Sequence, residues 1–346
     1  MSTETTMQLS DPADFLAAVP YLLGFHPSNS VVVMAFDDGP TRLIGVLRFD
    51  LPERSPDMVS LVIQLRGMLD RNGFRRVLLI GYGPGALVTP VVDGITGTLD
   101  GIGLMDALRV EDGRYWSYTC PDPECCPPEG MPYEITESAV AVGAVLAGLV
   151  ARPDRETFVR TIAPISGTER EESTAATRRA CAHARELLGT ANGSFWYQEG
   201  LDRVAEAFEA ERLTADQVAW LGVLLTGLFV RDGAMTFIGR YDEDTHIRIW
   251  SELARRVDPA FAAAPAALLA FVAHRSGNGT LAQIAVERSL GADSEYRLAL
   301  LVRCAVDHGM PPSATRGMDC AGLADGIAAK VAEFPHLACP VIPEGW

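Results

Sequence analysis

Positive charge is scarce in this sequence. Its 346 residues hold 29 Lys and Arg against 45 Asp and Glu, a formal charge of −16. So few cations cannot replace the counterions of a nucleic acid or meet the phosphates of an anionic bilayer. We therefore expect no nucleic acid and no membrane among its partners. Long apolar runs are also lacking: Val218 to Val230 and Ala260 to Ala273 fall short of the roughly 18–20 residues of a bilayer span. The start, Met1-Ser2-Thr3-Glu4-Thr5-Thr6, carries neither the basic nor the apolar part of a secretory signal. Cysteine is sparse and odd in number, seven in all, which suits free thiols in a reducing cytoplasm better than a disulfide framework. The phosphate-binding Gly-x-x-x-x-Gly-Lys-Ser/Thr loop, the His-Glu-x-x-His helix and the Gly-x-Ser-x-Gly elbow are all missing.

What is present is ordinary globular material. With 48% apolar residues, 22 Pro and 32 Gly, the chain can build a core in each of two or three lobes. Ser10-Asp11-Pro12 opens a helix over Pro12 to Leu23 with Ser10 as N-cap. Val31 to Phe36 and Arg42 to Phe49 form a hairpin across the turn Asp37-Asp38-Gly39-Pro40. Met58 to Leu69 has helical periodicity that Asn72-Gly73 stops. Arg76 to Ile80 is almost wholly apolar, as a central strand covered on both faces is. A helix over Pro90 to Leu99 and strands over Leu104 to Val110 and Arg114 to Thr119 complete a mixed-sheet α/β lobe, residues 1–130, ending in a Cys/Pro-rich segment.

Residues 131–346 then read as a mostly helical lobe, so the fold class is α+β / α/β. Thr168…Glu171, Thr214…Gln217 and Thr280…Gln283 have capping-box spacing. Val140 to Val150 and Val218 to Val230 are expected to be core helices, the latter within one long apolar helix from Thr214 to Val230. Asp258-Pro259-Ala260-Phe261 and Asp293-Ser294-Glu295-Tyr296 are similar helix starts 35 residues apart, the spacing of tetratricopeptide-like hairpins over 245–310. Two unrelated helical hairpins would look the same.

Four stretches could carry chemistry. Gly81-Tyr82-Gly83-Pro84-Gly85-Ala86 matches the dinucleotide fingerprint formally, but Pro84 removes a phosphate donor and the following helix reads as starting too late. NAD and FAD are therefore not expected. Cys120, Cys125 and Cys126 lie in a stiff, proline-rich frame, and three thiolates with a fourth ligand such as His26 suit tetrahedral zinc. Against this, adjacent Cys125 and Cys126 face one metal with difficulty, and buried thiols also serve as small apolar groups. The loop Gly24 to Ser30 offers His26, Asn29 and Ser30 at a strand end, for a ligand or for local turn bonding. Arg231-Asp232-Gly233 reads as a helix end or a buried ion pair. The other histidines are scattered singly.

At Pro20-Tyr21-Leu22-Leu23-Gly24-Phe25-His26-Pro27-Ser28-Asn29-Ser30, Asp112-Gly113-Arg114-Tyr115-Trp116-Ser117-Tyr118-Thr119-Cys120 and Cys125-Cys126-Pro127-Pro128-Glu129-Gly130, the chain resembles the actinobacterial domain of unknown function 4192 family. Gly277-Asn278-Gly279-Thr280-Leu281-Ala282 through Ala292-Asp293 fits it as well. The resemblance implies a cytoplasmic protein and brings no reaction, cofactor or catalytic residue. The expected function is a protein-interaction or scaffold role, with a protein partner or homo-oligomer on the helical lobe. The alternatives are an enzyme using His26 with Cys120, Cys125 or Cys126, or a structural zinc held by the same four residues. A site is expected where the Gly24 to Ser30 loop meets the Cys-rich segment, with Gly24, Phe25, Asn29, Ser30, Trp116 and Arg231 as binding residues.

Overall fold

A computed structural model describes residues 9, 11–37, 42–52, 54–135 and 138–346. Ser10, the turn residues Asp38, Gly39 and Pro40, and the Met1 to Thr6 start lie outside them. The chain divides into two compact units, Met1–Phe158 with His308–Met310, and Val159–Asp307 with Pro311–Trp346. The first unit thus continues to Phe158 instead of closing at residue 130.

The first unit opens with α1 (Pro12–Leu23), whose N-cap is Asp11, accepting from the Asp14 N–H at 2.9 Å. Strands β1 (Ser30–Phe36) and β2 (Leu43–Asp50), helix α2 (Ser55–Arg71), strand β3 (Arg76–Tyr82), helix α3 (Gly85–Thr96) and strand β4 (Gly103–Glu111) follow. Strands β5 (Arg114–Ser117) and β6 (Met131–Pro132) and helix α4 (Ala139–Leu146) complete it, and α5 (Arg155–Arg160) carries the boundary. The sheet order is β2-β1-β3-β4-β5-β6. Among the described strands of this sheet only β3 and β4 run parallel, as expected for strands joined through a helix.

Alternation sorts the two faces. Val31, Val33 and Ala35 of β1 and Val77 and Leu79 of β3 pack under α2 and α3 through Leu61, Leu65, Val88, Val91 and Ile95. Val32, Met34 and Phe36 are equally buried on the other face, where Phe36 meets Phe15 of α1 edge-on at 6.0 Å. A strand buried on both faces reads as a continuous apolar run, which is how β3 looks in sequence.

Three expectations need correction here. Helix α3 starts at Gly85, and Pro90 lies inside it. Helix α4 is no core helix. Its Val140 packs with Ala17 and Ala18 of α1, and Val140, Ala141 and Ala144 are buried, while Val145 is 59% and Leu146 84% exposed. The run Thr214 to Val230 is two helices, bent by 107°.

The second unit is helical: α6 (Gly167–Leu188), α7 (Gly193–Glu209), α8 (Ala215–Leu224), α9 (Leu228–Met235), α10 (Glu243–Arg256), α11 (Ala263–Ser276), α12 (Gly279–Ala292), α13 (Arg297–Asp307), α14 (Pro312–Arg316) and α15 (Leu323–Glu333). The break between α8 and α9 falls at Gly227, where a Cβ would sit 2.4 Å from the Ala338 carbonyl oxygen. Only a glycine lets that backbone pass. Among the described residues no single helix is long and apolar enough to cross a membrane. Of the three capping-box candidates, Thr214 and Gln217 form one, each side chain accepting the other's N–H. Ser166 precedes α6 and Asn278 caps α12 instead.

Helix α11 is buried from Ala264 to His274 and packs on α10, α12, α13 and α14. That is the centre of a bundle, whereas in a solenoid each repeat meets only its neighbours. Tetratricopeptide-like hairpins over 245–310 are not confirmed.

Leu224 is fully buried, so Leu224→Ala should cost about 2–5 kcal/mol in urea denaturation. His246 gives a pH signature. Its Nδ1 accepts from Trp250 Nε1 at 3.3 Å and its Nε2 lies 3.3 Å from the Phe237 carbonyl, so the ring is held neutral. Burial lowers its pKa, against the opposing pull of Asp242 and of the Phe237 carbonyl, while Arg275 adds to the lowering. The unfolded chain therefore takes up this proton first as pH falls, and stability drops below about pH 6.5. Urea midpoints at pH 7.5 and 5.5 should fall farther apart in the wild type than in His246→Gln.

Candidate thiolate centre

The cysteine segment is built from the β4–β5 hairpin outward. Asp112 and Gly113 both have positive φ, 49° and 73°, the pair that a two-residue turn between twisted strands requires. The turn fixes Arg109 opposite Trp116 and Leu108 opposite Ser117. Asp106 Oδ1 accepts from Ser117 Oγ at 2.7 Å and Thr119 Oγ1 at 2.5 Å. Ser117 Oγ in turn accepts the Cys120 N–H at 3.0 Å. A carboxylate on β4 thereby sets the backbone at the first cysteine.

Beyond Cys120, Asp122 Oδ1 accepts the Glu124 N–H at 2.9 Å and the Asp122 carbonyl accepts the Cys126 N–H at 2.7 Å. The chain is wound into one helical turn. Consecutive side chains on such a turn are about 100° apart, so Cys125 and Cys126 can both lean toward Cys120. Their three sulfurs lie within 4.8 Å of one another, which overturns the objection from adjacency. Sulfurs sharing a tetrahedral zinc stand about 3.8 Å apart, from a Zn–S bond of about 2.3 Å.

The segment is then clamped to β5. Trp116 Nε1 donates to the Pro128 carbonyl at 2.9 Å and Arg114 to the Gly130 carbonyl at 2.8 Å. The other face of Trp116 meets the Arg109 guanidinium at 3.7 Å, and Arg109 pairs with Glu111 at 2.6 Å.

The thiols are already polarised. The backbone at Asp122, followed by the neighbouring Cys126 and Cys125, holds the Cys120 pKa down. Burial, followed by the bonds to Cys120 and Cys125, pushes Cys126 up to about 12.

The structure does not bring His26 to the thiols. Among the described residues, the group of metal-ligating atoms contains the three cysteines alone. Ser30 stands opposite Tyr82, Tyr82 opposite Val110, and Val110 opposite Tyr115, so His26 precedes that end of the sheet. Cys120 lies at the level of Asp106, four residues back along β4, or about 13 Å at strand rise. His26 thus stands outside the group of three sulfurs, and β5, running antiparallel to β4, carries the chain toward Cys120 away from the end of the sheet where β1 begins.

The other binding candidates have structural duties. Gly24 ends α1 at φ 80° and abuts Phe158. Phe25 bridges to Arg152, whose carbonyl accepts the His26 N–H at 2.9 Å. Asn29 accepts the Leu51 N–H through its carbonyl, and Ser30 is buried in β1. Arg231 belongs to the second unit, inside α9 and not at its end, paired with Asp232 and facing Tyr296 at 5.6 Å. Helix α3 begins directly after Pro84, so the late-start argument against a phosphate loop no longer holds. Gly81 serves packing, since a Cβ there would meet Val88 at 2.2 Å.

Asp106, Ser117, Thr119 and Asp122 went unrecognised as parts of this centre. Asp122 alone had a local signal, an Asp two residues before the Glu124 N–H. The second unit holds a cavity of about 60 Å³ between α6 and α8, lined by Glu169, Glu172, Arg212 and Arg256 among others. That is water-sized, far below the 300 Å³ or more of a small-molecule site. All seven cysteines are free.

Gly130 has φ 80°, and a Cβ there would approach Trp116 to 2.5 Å. Gly130→Ala should therefore cost more than about 1 kcal/mol, read as a lowered urea midpoint with altered tryptophan fluorescence.

A profile of the family described as Domain of unknown function (DUF4192) matches residues 12–313. No curated protein and no solved structure matches the chain.

Proposed function

We propose a thiolate metal centre as the function of the Cys120 to Cys126 segment, starting from the fact that the chain belongs to the DUF4192 family, whose description names no reaction. One observation carries the reading: three sulfurs within 4.8 Å of one another on a hydrogen-bonded frame. Soft sulfur donors at that spacing select zinc and its thiophilic neighbours over hard, oxygen-seeking cations. The link from Asp106 through Ser117 to the Cys120 N–H is a second-layer contact of the kind that orients metal ligands. The metal's role in this reading is to hold the edge of the sheet. A reducing cytoplasm suits it, because the thiols there stay available.

The enzyme reading loses its base with His26. The interaction reading keeps one observation, and on a different element from the helical lobe: the exposed apolar side of α4, formed by Val142, Val145 and Leu146. An apolar side of that kind is what a protein partner or a second copy would cover.

Elemental analysis of the purified chain, with thiol titration in the native state, tests the metal. We expect about one zinc per chain and three fewer reactive thiols than in the chelated protein. Cys120→Ala and Cys126→Ala should each lose the metal, and chelation should lower the melting temperature. A chain that takes up no zinc and titrates all three thiols freely would sink the proposal.

A further inference from the structure

We infer that a metal on Cys120, Cys125 and Cys126 keeps its fourth position for a ligand from outside the chain, a neutral nitrogen or oxygen donor: water at rest and an imidazole when one is offered. The inference rests on the thiolate reading above and deepens it. No His, Asp or Glu ligand atom among the described residues joins the three sulfurs at their spacing. Of the carboxylates beside them, Glu124 next to Cys125 is exposed and lies outside the group, while Asp122 and Asp106 are committed. Asp122 accepts the Glu124 N–H, and Asp106 accepts from Ser117, Thr119 and the Ala107 N–H. Prolines at 121, 123, 127 and 128 fix φ through the loop, so it cannot easily refold to supply another donor. Cys125 is exposed, which leaves solvent on one side of the group.

Charge selects the ligand. Three thiolates around a divalent ion leave a net charge of about −1, and the exposed Asp122, Glu124 and Glu129 stand on the same loop. An anion such as phosphate or a carboxylate meets that field unfavourably, whereas water or imidazole does not. The same negative charge works against ionising a bound water, so the position is suited to exchanging ligands more than to hydrolysis.

The test uses the full chain with cobalt(II) in place of zinc, prepared without oxygen. Thiolate-to-cobalt charge-transfer bands report the three sulfurs, and the visible ligand-field bands report the fourth ligand. Titration with imidazole should shift the ligand-field bands saturably while the charge-transfer intensity stays, and inorganic phosphate at equal concentration should shift nothing. Glu124→Gln, which removes the carboxylate next to Cys125, should show the same cobalt spectrum before imidazole is added. Ligand-field bands that ignore imidazole, or that change in Glu124→Gln, mean that the chain itself supplies the fourth ligand, and they overturn this inference while the thiolate reading stands. Charge-transfer bands that fade as imidazole is added show extraction of the metal and also overturn it. Absence of those bands from the start instead defeats the thiolate reading itself.

Discussion

The reversal at Asp112 and Gly113 governs the cysteine edge. Two residues in the left-handed region fix the register of β5 on β4. A slip of one position would exchange the faces of Tyr115 and Ser117 with that of Trp116. Trp116 would then lose Arg109 on one side and the Pro128 carbonyl on the other, and Asp106 would lose Ser117. The thiol group therefore depends on a turn that contains none of its ligands. Because the same turn makes β5 antiparallel, it also separates the cysteines from the end of the sheet where the parallel pair β3 and β4 opens.

Much of the first unit was legible because its signals are local or periodic. Asn72-Gly73 stops α2 with Gly73 at φ 63°, and the apolar run over Arg76 to Ile80 is the central strand. Proline misled where tertiary packing outweighed its cost. Pro90 sits in the sixth position of α3 and gives up a helical hydrogen bond, yet Val88, Val91 and Ile95 keep the helix on the sheet. Pro20 also lies inside its helix, α1, but there the expected helix already ran through it. Counting apolar residues misled at α4 as well, since composition shows that a helix is greasy and not which side finds a neighbour.

The long-range parts of the site left no trace in the chain order. Asp106 and Cys120 are joined through Ser117 only once the hairpin exists, and the bend at Gly227 answers to Ala338, more than a hundred residues away. The thiols themselves were visible as composition. Their convergence was not, because spacing rules for metal ligands presume regular turns, and this loop gains its turn from the Asp122 side chain and carbonyl.

Proline and charge act together at this edge. Four prolines reduce the conformational freedom that the loop loses on ordering, so the three thiols approach one another without a large apolar core beneath them. Like-charged thiolates repel at such distances, and a low dielectric would sharpen the repulsion. The thiols respond unequally to one another, Cys120 being lowered and Cys126 raised. A divalent cation displaces the remaining protons and removes the repulsion in one step. The stiffness that holds three sulfurs together also prevents the loop from closing over a fourth ligand, so preorganisation and an open coordination position have the same physical origin.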